Sequence, residues 1–463
     1  MRLSKLIGPD LKEVLRDDPE QARVLLQELH AEDIADLVAE LEPDEAAKLL
    51  ERLPADVAAP IFERLEEHEQ EELVEIMGTE SVAHIASEMA PDDRADLFSA
   101  LPDDVGTKLL ATLEKVDPEA AQEVREIEKW PETSAGHLMT TAFVQVPPDG
   151  TVREAVEAVR TFSEEHNAPV YNVYVLGKGD RLLGMASMRD LLLAQPEDAL
   201  SKVTHDDILS VTPDLDQEEV ARRMAKYDLN VMPVVESSGA VLGVITIDDI
   251  VDVLTQEQTE DVQKLGAIEP LDVPYFQTSF VSFIRKRGVW LLALFLGEFF
   301  TTSALRHYGP VLESIHGAMY YIPLLISAGG NSGSQSSTLI IRGLAVGEVK
   351  ASDFPRIFVR ESLMGLVLGL GLGAVGFIRV LMYPEQGIGF ALTVSASLVG
   401  IVMTGCTVGS LLPILLKRLG VDPATSSTPF IASLIDVLGI VIFVQFAKMI
   451  MAATIAKAAL GAP

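Results

Sequence analysis

Over the first 130 residues the hydrophobic positions come in short bursts at helical spacing: Leu25, Leu26 and Leu29, then Ile34, Leu37 and Leu41, then Ala46, Leu49, Leu50 and Leu53. Apolar residues three and four apart share one helix face. Pro43, Pro54, Pro91 and Pro102 break the bursts, most with Asp or Glu directly after. Proline has no amide to waste in a first turn and acids oppose the positive end of the helix dipole, so these are helix starts. The pattern predicts an all-α scaffold over 1–130, short helical hairpins stacked into a superhelical array.

Residues 131–256 change period and repeat. HLMTTAFVQVPPDGTVREAVEAVR with NVYVLGKGDRLLGMASMRDLL is echoed by DILSVTPDLDQEEVARRMAKY with NVMPVVESSGAVLGVITIDDIVDVL. Each copy reads as a short strand, a helix, a β-hairpin and a second helix. The two copies, about 134–200 and 201–256, resemble a tandem pair of CBS domains. Such pairs are usually regulatory and rarely enzymes.

A linker helix is expected over 257–287, and beyond it the chain turns apolar in five blocks: 288–306, 311–341, 358–381, 389–416 and 429–455. Each is near or above the roughly 20 residues needed to cross a bilayer, so 288–463 reads as a five-span helical membrane domain. Five spans put the termini on opposite sides. Arg285, Lys286, Arg287, Arg342, Lys350, Arg356, Arg360, Lys417 and Arg418 fall on the side of the N-terminal domain, and Arg306, Arg379, Lys448 and Lys457 on the other. The positive-inside bias then places the N-terminus in the cytosol and the C-terminus outside a multi-pass plasma (inner) membrane protein. MRLSKLIGPDLKEVLRDDPE turns polar before any apolar stretch a signal peptide would need.

Charge sharpens the division. Of 69 acidic residues, 61 precede position 288, against 26 of the 36 Lys and Arg, leaving that part near −35 while the rest is near +2. A domain so acidic repels nucleic acid and attracts cations. The single cysteine, Cys406, sits in an apolar block, which excludes a disulfide framework and a thiolate metal site. No nucleophile–base pair, Walker loop or His-rich metal motif is present, so the chain does not read as an enzyme.

Two polar exceptions stand out in the apolar blocks, where an ionisable or hydrogen-bonding group is costly unless it meets a partner or water. The second block holds Gly329, Gly330, Asn331, Ser332, Gly333, Ser334, Gln335, Ser336, Ser337 and Thr338 in unbroken series. Glycines allow close helix approach and the amides of Asn331 and Gln335 suit a wet cavity; small-residue helix packing is the alternative. The fifth block holds Asp436, with Ser433 one turn earlier and Thr428 and Pro429 about two turns earlier, and no base in the same span. Cation binding fits that carboxylate best, with a proton-carrying or structural acid as the alternative.

At this point GGNSGSQSSTLIIRGLA in the second block and DPATSSTPFIASLIDVLG in the fifth resemble the two signature stretches of the MgtE Mg2+ channel family, and the order of acidic helical domain, CBS pair, linker helix and five spans matches over the whole chain. The resemblance implies a homodimer in a lipid bilayer, Mg2+ as both transported and regulatory ion, and a linker or plug helix that blocks the pore when cytosolic Mg2+ is high. It implies pore roles for Asp436, Asn331, Gly329, Gly330, Gln335, Ser433 and Thr428, the last standing where an asparagine is expected. It implies Mg2+-sensing acids at Asp216, Glu218, Asp228, Asp249, Asp252, Glu257, Glu260 and Asp261, and in the helical domain at Asp93 and Asp96. Two other readings stay open. Ser187 and Asp190 resemble ribose-contacting positions of adenosine-binding CBS domains, so the pair could sense ATP, and Asp436 with Glu298 could carry protons in a secondary transporter.

Overall fold

The computed structural model describes residues 29–166, 169–271, 273, 275–452 and 455; Leu25, Leu26 and Lys457 lie outside them. The chain forms two compact units, Met1–Thr255 and Gln256–Pro463.

Among the described residues the first unit begins with seven helices: α1 (Ala31–Ala39), α2 (Pro43–Leu50), α3 (Ala55–Phe62), α4 (Glu67–Ser87), α5 (Pro91–Ala100), α6 (Asp103–Val116) and α7 (Pro118–Ile127). The prolines sit where the sequence placed them, at or just before helix starts, and acids fill the first turns of α2, α5 and α6. Their apolar faces close on one core that includes Leu50, Phe62, Val82, Leu97, Leu109 and Leu113. Within α4 the backbone leaves the helix at Gly78, with φ +77° and ψ 160°, a conformation that a side chain would strain. Arg94 is buried in this layer. Its guanidinium donates to the Ala86 and Met89 carbonyls at 2.6 and 2.7 Å and to Glu123 at 2.7 Å, tying the start of α5 to α4 and α7.

The repeats follow. The first copy runs β1 (Gln145–Val146), α8 (Val152–Glu165), β2 (Asn172–Leu176), β3 (Leu182–Ser187) and α9 (Met188–Leu193), with β1 parallel to β2 and β2 antiparallel to β3. The second runs α10 (Gln217–Tyr227), the antiparallel hairpin β4 (Val231–Val235) and β5 (Val241–Thr246), and α11 (Ile247–Leu265). Its expected opening strand is reduced to one parallel bridge, Val211 to Val234, with a proline at position 213 close behind to end it. The two hairpin tips hydrogen-bond to each other through Leu182 N–H to Gly239 O and Val241 N–H to Asp180 O, both 3.0 Å.

The linker expected over 257–287 is not a separate helix. α11 continues from the last CBS helix through Leu265 and stops at Gly266 and Ala267, the latter with φ +56°. α12 (Phe280–Glu313) then begins eight residues before the apolar block, because the basic Arg285–Arg287 stretch forms its first turns. The other long helices are α13 (Ala318–Ala345), α14 (Phe354–Leu381), α15 (Gly387–Arg418) and α16 (Thr428–Ile450). Four of the five long helices have the length and mean hydropathy of a membrane span; α13, with its polar series, falls short.

Close packing in this second unit depends on small residues. Gly365, Gly369, Gly373 and Gly376 recur along α14 and are buried against α15. An added Cβ at Gly369 would come 2.8 Å from the Val399 Cα, a backbone atom that cannot swing aside. Gly369→Ala should therefore cost about 1–3 kcal/mol and lower the melting temperature of the detergent-solubilised chain. Gly371→Ala, where a Cβ meets nothing within 4 Å, should leave it unchanged. Equal melting of the two variants would mean that α14 does not depend on this contact.

Candidate functional site

The start of α5 reads Pro-Asp-Asp-Arg, and helix-dipole logic alone would leave its acids in solvent. Instead Asp92 and Asp93 line a cavity of about 180 Å3, together with Glu63 at the end of α3. The opposite wall comes from the CBS pair: Thr140, Phe143, Tyr171, Tyr174, Thr246, Asp248 and Asp249. Five carboxylates thus line one small space, and among the described residues that line it the one base is Arg64, 3.7 Å from Glu63 and 3.8 Å from Glu32. Arg94, next in sequence to Asp93, is already committed to α4 and α7.

The electrostatics follow from that shortage of positive charge. Removal from water, and then the Asp249 charge, lift the Asp92 carboxyl to about 8; Oδ1 of Asp92 is buried with no donor among the described residues. Asp93 is raised to about 9 by burial first, then by Asp92, Glu63, Asp249 and Asp96. Burial lifts Asp249 to about 6, although the Thr246 hydroxyl donates to it at 2.8 Å and pulls the other way. Glu63 is raised by burial despite the Ala90 amide, which donates to it at 2.8 Å. Such groups are stable either protonated or beside a cation. No three His, Cys, Asp or Glu side chains among the described residues stand close enough to enclose an ion unaided. An ion here would be held by one or two carboxylates with water completing its shell, the coordination Mg2+ favours.

The other expected sensing acids are dispersed. Asp96 is exposed on α5, pairing with the buried His137 at 3.2 Å. Asp216 caps α10 by accepting the Glu218 amide at 3.0 Å, Glu218 pairs with Arg222 at 3.1 Å, and Asp228 ends the helix in the left-handed region. Asp252 is exposed on α11, where Glu257, Glu260 and Asp261 follow in the second unit; Glu260 pairs with Lys264, which also reaches Asp422 at 2.6 Å. Ser187 and Asp190 cap α9 together, hydroxyl to carboxylate at 2.5 Å, and do not line the acidic cavity. The corresponding pair of the second repeat, Thr246 and Asp249, does.

In the second unit the polar series of α13 divides by helical period. Asn331, Gln335 and Thr338 are exposed on one face, whereas Gly329, Gly330, Ser332, Gly333, Ser336 and Ser337 are buried on the other. Close approach belongs to Gly329 and Gly333: a Cβ on Gly333 would fall 2.8 Å from Ile431 Cγ2 and 3.2 Å from Gly405 O, while one on Gly330 would make an ordinary 3.5 Å contact with Ala432. Ser334 donates to the carbonyl of Thr428, the first residue of α16, and Ser337 to that of Ser426, both at 3.4 Å. Asp436 is half-buried on α16, and Ser433, one turn earlier, donates to Glu298 of α12 at 2.8 Å.

Sequence reasoning missed Asp92 and Glu63, whose role depends on which way a short helix faces. It also left Glu361 of α14 unassigned, although Ser336 donates to it at 2.7 Å. The signal for Glu361 was available, since a carboxylate in an apolar block calls for a partner.

A set of long apolar helices carrying Asp436, joined in one chain to a CBS pair and an acidic helical domain, is the layout of a membrane transport protein for cations. The comparisons agree. Residues 322–446 match the MgtE divalent cation transporter model, 29–133 the MgtE intracellular N domain, and 135–197 and 200–256 the CBS domain. The chain is similar to the magnesium transporter MgtE of Thermus thermophilus, 39% identical over 72% of this chain and 73% of that one, and to that of Bacillus subtilis, 31% identical over 70% and 71%. A crystal structure of the soluble part of a magnesium transporter superposes with a TM-score of 0.51 at 28% identity, covering 53% of this chain and 96% of that one. The chain belongs to the MgtE family. It is not an enzyme: likeness to inosine-5'-monophosphate dehydrogenase, 27% identity over 134 residues for that of Aquifex aeolicus, is confined to the CBS repeats.

The raised acids set a pH dependence. Asp92, Asp93 and Asp249 hold their protons more tightly folded than unfolded, so their ionisation destabilises the first unit as pH rises from near 3.8 through about 9, and the stabilisation is complete only below that window. In the absence of divalent ions the melting temperature of the chain should fall from about pH 4 to about pH 9, and Mg2+ should reverse the fall at the alkaline end while changing little near pH 5. A fall that Mg2+ leaves untouched would remove the cation from this cavity.

Proposed function

We propose that the chain is a Mg2+-selective channel that admits Mg2+ to the cytosol and is closed by cytosolic Mg2+. The observation that carries the reading is the acidic cavity: five carboxylates from the helical domain and the CBS pair lined up against one arginine. The Thermus and Bacillus relatives, named magnesium transporters, support Mg2+ as the cargo. At low Mg2+ the carboxylates repel and the helical domain separates from the CBS pair. At high Mg2+ ions bridge them and favour the compact form, acting as ligands with higher affinity for one conformation. α11 begins in that unit and carries Glu257, Glu260 and Asp261 beyond it, which makes it the element through which compaction reaches the pore.

Such a gate has a thermodynamic reason. Moving two charges through 100 mV is worth roughly 4.6 kcal/mol, so an ungated pore would drive accumulation on the order of a thousandfold. Permeation is assigned to a homodimer in the plasma (inner) membrane with five spans per subunit, the N-terminus inside, and Asp436 of each subunit meeting the hydrated ion. The domain limits that go with this reading are 1–130, 131–256, 257–287 and 288–463. Asn331 and Gln335, exposed on α13, and Thr428 and Ser433 on α16 supply oxygen to the same path. Proton-coupled exchange is the rival mode, told apart by whether a pH gradient drives uptake. ATP at the CBS pair is a second ligand reading, placed on Ser187 and Asp190 and so apart from the acidic cavity, which they do not line.

In proteoliposomes holding the full chain, Asp436→Ala should reduce Mg2+ uptake at least about tenfold without loss of assembly; uptake at the parental rate would sink the pore assignment. In the sensor, Asp92→Asn, Asp93→Asn and Asp249→Asn together remove both the repulsion and the charge that binds the ion. Protease cleavage of the first unit should then be the same with and without Mg2+, whereas in the parent Mg2+ protects. Continued Mg2+ protection of the triple variant would place the sensor among Asp216, Glu218, Asp228 or the α11 acids.

A further inference from the structure

Glu298 lies near the middle of α12, between WLLALFLG and the Phe299–Phe300 pair. A carboxylate at the centre of a membrane helix is costly to insert, so it needs a partner or a wet path. Its hydrogen-bond donor is the hydroxyl of Ser433 on α16, at 2.8 Å, and the ion pairs among the described residues give it no Lys, Arg or His. Ser433 and Asp436 are three apart on α16 and so share one face of that helix. The hydrogen bond therefore brings Glu298, from a helix 135 residues away in sequence, to the face of α16 that carries Asp436, one turn from that carboxylate's position.

Two consequences follow. Ser433 has one hydroxyl hydrogen, and donating it to Glu298 leaves only acceptor lone pairs for anything else that approaches. Its oxygen is thereby oriented as a ligand for a cation or for the oxygen-bound hydrogens of an ion's water shell. The second consequence is electrostatic. Two carboxylates near each other with no base between them repel, and Coulomb energy scales with the product of charges, so each gives a divalent ion twice what it gives a monovalent one. A second carboxylate beside Asp436 widens that difference.

We propose that Glu298 is a selectivity-determining and positioning residue of the cation path: it orients the Ser433 hydroxyl and adds the second negative charge that favours divalent over monovalent ions at Asp436. The inference rests on the reading of Asp436 as the residue that meets the ion, and its test separates the two. Glu298→Gln keeps an acceptor of the same shape, removes the charge and offers an amide hydrogen that competes to turn the Ser433 hydroxyl outward. Glu298→Asp keeps the charge.

The full chain is reconstituted in liposomes and Mg2+ influx is measured against Mg2+ concentration, with K+ flux recorded in parallel. Glu298→Gln should assemble as the parent does, raise the half-saturating Mg2+ concentration roughly tenfold, keep the maximal rate within about twofold, and increase K+ flux relative to Mg2+. Glu298→Asp should recover most of the affinity and the discrimination. Asp436→Asn, run alongside, tests the underlying reading by itself, and parental transport in that variant would overturn the role of Asp436. If Asp436→Asn fails while Glu298→Gln transports with parental affinity and selectivity, the Glu298 inference alone is overturned. It is overturned as well if the Gln and Asp variants lose transport equally, which is the mark of a merely structural side chain.

Discussion

A carboxylate withdrawn from water must find a proton, a base or a metal cation, and this chain repeatedly withholds the base. In the first unit the obvious candidate, Arg94, is spent on carbonyls of α4 and on Glu123, so the neighbouring Asp92 and Asp93 line a small cavity with Glu63, Asp248 and Asp249, and among the described residues that line it Arg64 alone offsets them. In the second unit Ser433, on the face of α16 that carries Asp436, hydrogen-bonds Glu298 of α12. The same constraint acts in two places, and each leaves neighbouring carboxylates short of positive charge among the described residues.

Lys264 is the instructive contrast. Burial alone would lower its proton affinity, yet hydrogen bonds to Asp422 and Glu260 outweigh that and hold its pKa above the ordinary range. Glu260 on α11 therefore already has a cation, supplied by the chain, and Asp422 shares it while also capping the short turn ahead of α16. An arriving Mg2+ has more to displace at Glu260 than in the cavity around Asp92. Acids that look alike along the chain thus differ in what they offer an ion.

Packing makes these arrangements possible. Gly329, Gly333, Gly405 and Gly409 bring α13 and α15 into backbone contact, and Ile431 and Ile435 of α16 close over the same glycines. That burial uses the small face of α13 and turns Asn331, Gln335 and Thr338 to the other side. A polar series that looks uniform along the sequence is resolved into a packed face and an open one by a period of 3.6 residues meeting neighbours that tolerate no side chain.

Sequence by itself determined the architecture, because each architectural feature leaves a local trace. Proline with acids marked the helix starts, the echo of two βαββα strings marked the CBS pair, and long apolar blocks marked the membrane helices. Asp436 was also legible, since one carboxylate in an apolar block violates a rule that is local. Tertiary structure alone decided which acids meet. Asp93 and Asp249 were each legible as candidate ligands, but only the packing of α5 against the CBS pair joined them and added Asp92 and Glu63. Asp216, Glu218 and Asp228, chosen on the same grounds, are occupied in capping, pairing or ending a helix. The reason is range: helix propensity, turn chemistry and membrane partition act over a few residues, whereas burial and Coulomb coupling depend on neighbours that the chain brings together from as far apart as Glu298 and Ser433.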